Sequence, residues 1–263
     1  MPVFATLSLL AYLLSLGLII PSLLRKKGIH RRWTLIAAVI ALIFHGISLQ
    51  QRVFNVDHGQ NLSLLNIASG ASLLMSAIMT FVASRDRGWI LLPVVYSFSI
   101  INLALSSFTP WEFITHLEDS PALLTHIVLA LFSYATLIIA ALYALQLAWI
   151  DYQLKNKKLS FSPDMPPLLS IERKTFHITQ IGVILLTLTL ATGVLFLDNL
   201  LDPENLHKTV LSTIAWLVYL TLLWGHYSKG WRGRKVVWFS LSGALLLTLG
   251  YFGSRLVQVL LAQ

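Results

Sequence analysis

"ALLTHIVLALFSYATLIIAALYALQLAWI", residues 122–150, runs for 29 positions without an Asp, Glu, Lys or Arg. As an α-helix rising 1.5 Å per residue it would reach about 44 Å, more than the hydrocarbon core of a bilayer requires. Its apolar residues form a solid block and do not alternate, which selects a helix over a barrel strand. The one polar surprise near its start is an imidazole, His126.

Comparable blocks recur at 3–24, 33–50, 62–84, 88–107, 175–197, 206–227 and 236–257. The chain is 56% hydrophobic and 11% charged, with a mean hydropathy of +0.75. A soluble protein cannot shield that much apolar surface from water. The expected fold class is therefore all-α: an integral membrane bundle of about eight transmembrane helices, forming a single transmembrane domain over 1–263. The first block lacks a preceding basic region and a small-residue cleavage site, so it reads as a retained helix, not a signal peptide.

Orientation follows from charge. With the N-terminus outside, the inner loops hold Arg25, Lys26, Lys27, Arg31, Arg32, Arg85, Arg87, Lys155, Lys157, Lys158, Arg173, Lys174, Lys229, Arg232, Arg234 and Lys235. Those are 16 of the 19 basic residues, leaving Arg52, Lys208 and Arg255 outside. The positive-inside rule then places both termini on the outer side. The net charge of +8 is a record of topology and not a footprint for nucleic acid.

Three loops carry information. In "FTPWEFITHLEDSP" (108–121), Thr109 as N-cap, Pro110 as first helical residue and Glu112 predict a short amphipathic helix at the outer interface. In "DNLLDPENLHK" (198–208), Asp202 and Pro203 open a helix by the same logic. The inner loop 151–174, with Pro163, Pro166 and Pro167, is the longest and is a candidate docking surface for a partner.

Function classes narrow by elimination. The chain contains no cysteine, which removes disulfides, thiolate metal sites and covalent c-type haem attachment. No phosphate-binding glycine loop and no His-Glu-x-x-His motif occur. The acidic residues lie outside the spans or at their ends, which argues against a proton relay or cation pump.

Four histidines remain at or inside the spans: His45, His126, His177 and His226. Counted along their helices, His126 lies about one turn and His45 one to two turns below the outer surface. His177 follows Lys174 by three residues and His226 precedes Lys229 by three, giving an inner pair. A buried imidazole needs a partner. Two of them facing across a bundle hold a haem iron axially, with His45 and His126 the first candidates for the metal and Phe44, Tyr134, Phe176, Trp224 and Tyr227 available to wall a porphyrin. Alternatively each histidine donates to a carbonyl or hydroxyl and merely packs.

Several segments carry a resemblance. "GWRGRKVVWFSLSGALLLTLGYFG" (Gly230–Gly253) resembles the last span of the haem-handling cytochrome c assembly proteins of the CcsA/CcmC type. "HGISLQQR" (His45–Arg52), "QNLSLL" (Gln60–Leu65), "HIVLALFSYATL" (His126–Leu137) and "ITQIGVILLTLTLATG" (Ile178–Gly193) are similar to further segments of that family, in the same order. HemX-type proteins are similar too. The resemblance implies a multi-pass protein of a bacterial inner membrane that binds b-type haem non-covalently and handles or senses it without chemistry of its own. Its partners would be haem, membrane lipid and a protein of cytochrome assembly or tetrapyrrole synthesis. By position, His126 matches the family's outward axial histidine, and His45 and His226 its two intramembrane histidines. The resemblance thus pairs His45 with His226, where depth pairs it with His126. Leu200 and Leu201 stand where the family's outer haem platform carries tryptophans. A cofactor-free membrane scaffold or regulatory protein is the rival expectation.

Overall fold

The computed structural model describes residues 3–24, 30–55, 59–85, 88–109, 112–116, 120–156, 167–196 and 203–253. Among them run eight α-helices: α1 Val3–Leu24, α2 Arg31–Phe54, α3 Leu64–Arg85, α4 Leu92–Phe108, α5 Pro121–Lys155, α6 Leu168–Phe196, α7 Pro203–Lys229 and α8 Arg234–Thr248. A π-helical turn, Leu249–Gly253, continues α8. Seven of these segments are long and apolar enough to cross a bilayer, while α4, at 17 residues, is shorter. The all-α membrane fold read from the apolar blocks is what the chain adopts.

The chain divides into two compact units, 1–119 with 160–166, and 120–159 with 167–263. In the first, α1 packs on α2, α2 on α3, α3 on α4 and α4 back on α1, closing a four-helix ring. Paired positions run in opposite senses, Ser8 with Ala41 and Ser15 with Thr34, so the helices alternate up and down. Alanines 37, 38 and 41 are buried and permit close approach.

Hydroxyls line the inside of this ring. Ser8, Tyr12, Ser15, Ser69, Ser72, Ser76, Tyr96 and Ser99 are all buried, while Leu10, Leu13, Leu14, Ile36, Val39 and Ile43 face outward. An unpaired hydroxyl in hydrocarbon is costly, and these are paired. Ser76 and Ser99 meet at 2.7 Å, Thr80 and Tyr96 at 2.7 Å, and Ser8 donates to the Ala41 carbonyl at 2.8 Å. At the end away from Arg31 and Arg85, Arg52 donates to Ser106 at 2.7 Å, to Ser48 at 3.4 Å and to Ser107.

At that same end two short strands, β1 Gln60–Asn61 and β2 Ile114–Thr115, pair antiparallel. This corrects the short helix expected from Thr109 onward. Thr109 is instead the extended C-cap of α4, and Ile114–Thr115 is strand; Pro110 lies outside the described residues. The reason is non-local. The Asn61 carboxamide oxygen accepts from Phe113 N at 3.1 Å and the Phe113 carbonyl from Leu62 N at 2.8 Å.

The second unit repeats the ring, α5 on α6, α6 on α7, α7 on α8 and α8 on α5. Ser120 caps α5 by accepting from Leu123 N at 3.4 Å, with Pro121 as its first residue. Pro203 opens α7 as the sequence suggests; its expected cap, Asp202, lies outside the described residues, as do Leu200 and Leu201. Because α5 extends to Lys155 and α6 begins at Leu168, half of the expected 151–174 loop is helical, and 157–166 is not among the described residues. Glycines set two approaches: a Cβ on Gly182 would stand 2.6 Å from Leu137, and one on Gly243 2.6 Å from the Tyr219 ring.

The α7–α8 turn is built on Gly230 and Gly233, both at positive φ (62° and 63°). Trp231 folds its indole onto Gly225, and its amide donates to the Gly225 carbonyl at 3.0 Å.

Gly243→Ala is expected to destabilise the second unit by about 1–3 kcal/mol, because the added methyl must displace a buried tyrosine ring. Thermal unfolding in detergent micelles, compared with the outward-facing Leu245→Ala, measures this.

Candidate functional site

The four histidines occupy unlike settings. His45 belongs to the first unit and is fully buried. Its Nε2 lies 2.9 Å from Ser69 Oγ and its Nδ1 3.3 Å from Tyr12 Oη, so both ring nitrogens are engaged. Tyr12 also meets the imidazole edge-on, at 5.9 Å between centroids, and packs at a tilt against Tyr96 at 5.3 Å.

The other three lie in the second unit. His126, half-buried five residues into α5, has Nδ1 3.2 Å from Thr192 Oγ1 on α6. His226, half-buried three residues before the end of α7, has Nδ1 3.3 Å from the Trp231 carbonyl oxygen. Its ring stacks on buried Phe176, centroids 3.4 Å apart and planes 15° off parallel, and Tyr227 meets it edge-on at 5.0 Å. His177, next to Phe176, is exposed. Beside this group Arg232 pairs with Glu172 at 3.1 Å, tying the turn to α6.

His126 and His226 cannot share one iron. Their contacts on α6, Thr192 and Phe176, are 16 residues apart, about 24 Å of helix. They are two separate positions at opposite ends of one bundle. His45 stands in the other unit, 14 residues from the basic start of α2, where His226 is three from the basic end of α7. Among the described residues no three His, Asp or Glu cluster as a metal site.

Iron requires an imidazole nitrogen with a free lone pair, the other being fixed by an acceptor. His226 fits that requirement, since its Nδ1 faces a carbonyl that only accepts, and His126 fits it where Thr192 Oγ1 is the acceptor. His45, as arranged, does not, because Ser69 or Tyr12 would have to give way first. Of the aromatics expected around a porphyrin, Phe176 and Tyr227 do flank an imidazole. Tyr134 instead packs on Tyr251 and Phe252, and Phe44 on Phe4. Trp224 is exposed under the Lys229 ammonium.

Sequence reasoning missed the partners Tyr12, Ser69 and Thr192. A serine in an apolar helix is as common at a packing contact as beside an imidazole, and threonines are too frequent on α6 for one to stand out. Replacing His45 by Ala leaves a cavity and two buried hydroxyls without their partner, a loss expected to be about 2–4 kcal/mol. His177→Ala is expected to cost under about 0.5 kcal/mol. Unfolding of haem-free protein under one detergent condition compares them.

Comparison with known proteins agrees with this architecture. The family model described as "Cytochrome C assembly protein" matches residues 33–261. The chain is 65% identical to the inner membrane protein YpjD of Escherichia coli K12 across the whole length of both. It is 28% identical to protein HemX of Brevibacillus brevis over 62% of each chain. It is also 28% identical to the cytochrome c biogenesis protein CcsA of a Prochlorococcus marinus strain over 64% of each. No solved structure matches it. A haem-related, multi-pass inner membrane protein with two rings of helices and histidines set among them, the chain belongs to the cytochrome c assembly protein family.

Proposed function

We propose that this protein binds b-type haem non-covalently within the membrane, with His126 as a ligand to its iron, and that it handles or senses haem without bond-making chemistry of its own. The observation that carries the reading is the setting of His126: half-buried near a helix end, with Nδ1 3.2 Å from Thr192 Oγ1 on α6. Membership of a family that includes a cytochrome c biogenesis protein supports it.

Haem, when bound, would supply an iron that an imidazole nitrogen of this chain would hold. The chain's own residues do the rest. Thr192 orients His126, and Phe176 with Tyr227 holds the His226 ring at a second, separate position. Exposed His177 would assist there, and His45 would join only by releasing Ser69 or Tyr12. With both termini outward, His126 faces the outer surface and His226 the cytoplasm. A protein of cytochrome assembly or tetrapyrrole synthesis is the partner this reading implies.

An absorption spectrum of the full chain purified from haem-replete cells tests it. A Soret band is expected, reduced at least about tenfold in His126→Ala and retained in His45→Ala. If His177→Ala and His226→Ala both leave the band intact, the basic-end position is packing alone. A colourless preparation after haem supplementation would sink the reading in favour of a cofactor-free scaffold.

A further inference from the structure

Thr192 has one hydroxyl proton, and a carbonyl on its own helix stands in place to accept it. Its Oγ1 lies 2.9 Å from the Thr189 carbonyl oxygen, one turn back on α6, and a carbonyl only accepts. With its proton committed there, Thr192 Oγ1 faces His126 Nδ1 at 3.2 Å as an acceptor. The contact is a hydrogen bond only if Nδ1 carries the imidazole proton. A neutral imidazole holds a single proton, so Nε2 keeps its lone pair.

The same helix contains an arrangement in which the donor is not in doubt. Thr187 Oγ1 donates to the Val183 carbonyl at 2.8 Å and accepts from Trp216 Nε1 at 2.9 Å. An indole nitrogen can only donate. Thr187 and Thr192 thus play one part: a threonine that spends its proton on its own helix becomes an acceptor for a ring N–H from a neighbour. His45 is held differently. Its partners, the Ser69 and Tyr12 hydroxyls, can each donate or accept, so either tautomer is served.

We infer that Thr192 is a positioning residue, one that fixes His126 as the Nδ1–H tautomer, sets the ring's rotation and so tunes any bond made at Nε2. Only the last step, the consequence for iron, rests on the haem reading. An acceptor on Nδ1–H raises the basicity of Nε2; losing it should weaken an axial bond and raise the reduction potential of the iron.

The test uses full-length haem-free protein labelled with 15N-histidine, the His126 signals being identified by their loss in His126→Ala. The Nδ1–H tautomer is expected in the wild type, a mixture of tautomers in Thr192→Val, and recovery in Thr192→Ser. With haem, Thr192→Val should bind about 10–100-fold more weakly and at a higher potential, with Thr192→Ser near the wild type. Thr192→Ala replaces the valine variant should that not fold. An Nε2–H tautomer in the wild type, or valine and serine variants that behave alike, overturns the inference. If the tautomer responds as expected but the wild type takes up no haem, the haem reading fails and the role of Thr192 stands.

Discussion

Hydrocarbon offers no hydrogen bonds, and every polar side chain in this protein has to be placed with that in view. The helices settle their backbones internally. What remains is a large set of hydroxyls, carboxamides and imidazoles on otherwise apolar helices. In the first unit they turn inward and meet one another, as in Ser76 with Ser99 and Thr80 with Tyr96. Threonines of α6 more often turn back on their own helix: Thr175 to Ile171, Thr179 to Thr175, Thr187 to Val183 and Thr189 to Leu185. The first solution ties helices together; the second costs no partner and leaves an oxygen lone pair facing outward from the helix.

That distinction separates the histidines. His45 is absorbed into the inter-helix network and has become part of what holds four helices in a ring. His126 and His226 rest on oxygens that accept at Nδ1, one a back-bonded threonine and one a turn carbonyl. A residue type that looks uniform in sequence therefore divides into one member held between two hydroxyls and two that set Nδ1 against a single oxygen.

The apolar blocks made the helices legible because a solid run of such length has only one low-energy form in a bilayer. The turn at Gly230–Gly233 falls between two apolar blocks, where positive φ leaves glycine as the ready choice. The region after Thr109 was not. Its Thr-Pro-x-Glu pattern is a sound local signal for a helix, but Ile114–Thr115 pairs with Gln60–Asn61, some fifty residues earlier, and no local pattern reports that. The imidazoles could be picked out one by one, and their depths counted. Their partners could not, because a hydroxyl's role depends on where its single proton is spent.

The setting of His126 also depends on a glycine far from it. Opposed positions on α5 and α6 keep one register: Ser133 and Leu137 meet Gly182, and His126 meets Thr192. At Gly182 the helices approach so closely that a Cβ would stand 2.6 Å from the Leu137 side chain. Gly182 is ten residues, about 15 Å, from Thr192 along α6. A side chain at 182 would wedge the two helices apart and swing Thr192 away, and a 3.2 Å hydrogen bond tolerates only a few tenths of an ångström before it fails. The reach of one imidazole at a helix end is thus set by the absence of a methyl group three turns away, which is why the glycine belongs to the site as much as the threonine does.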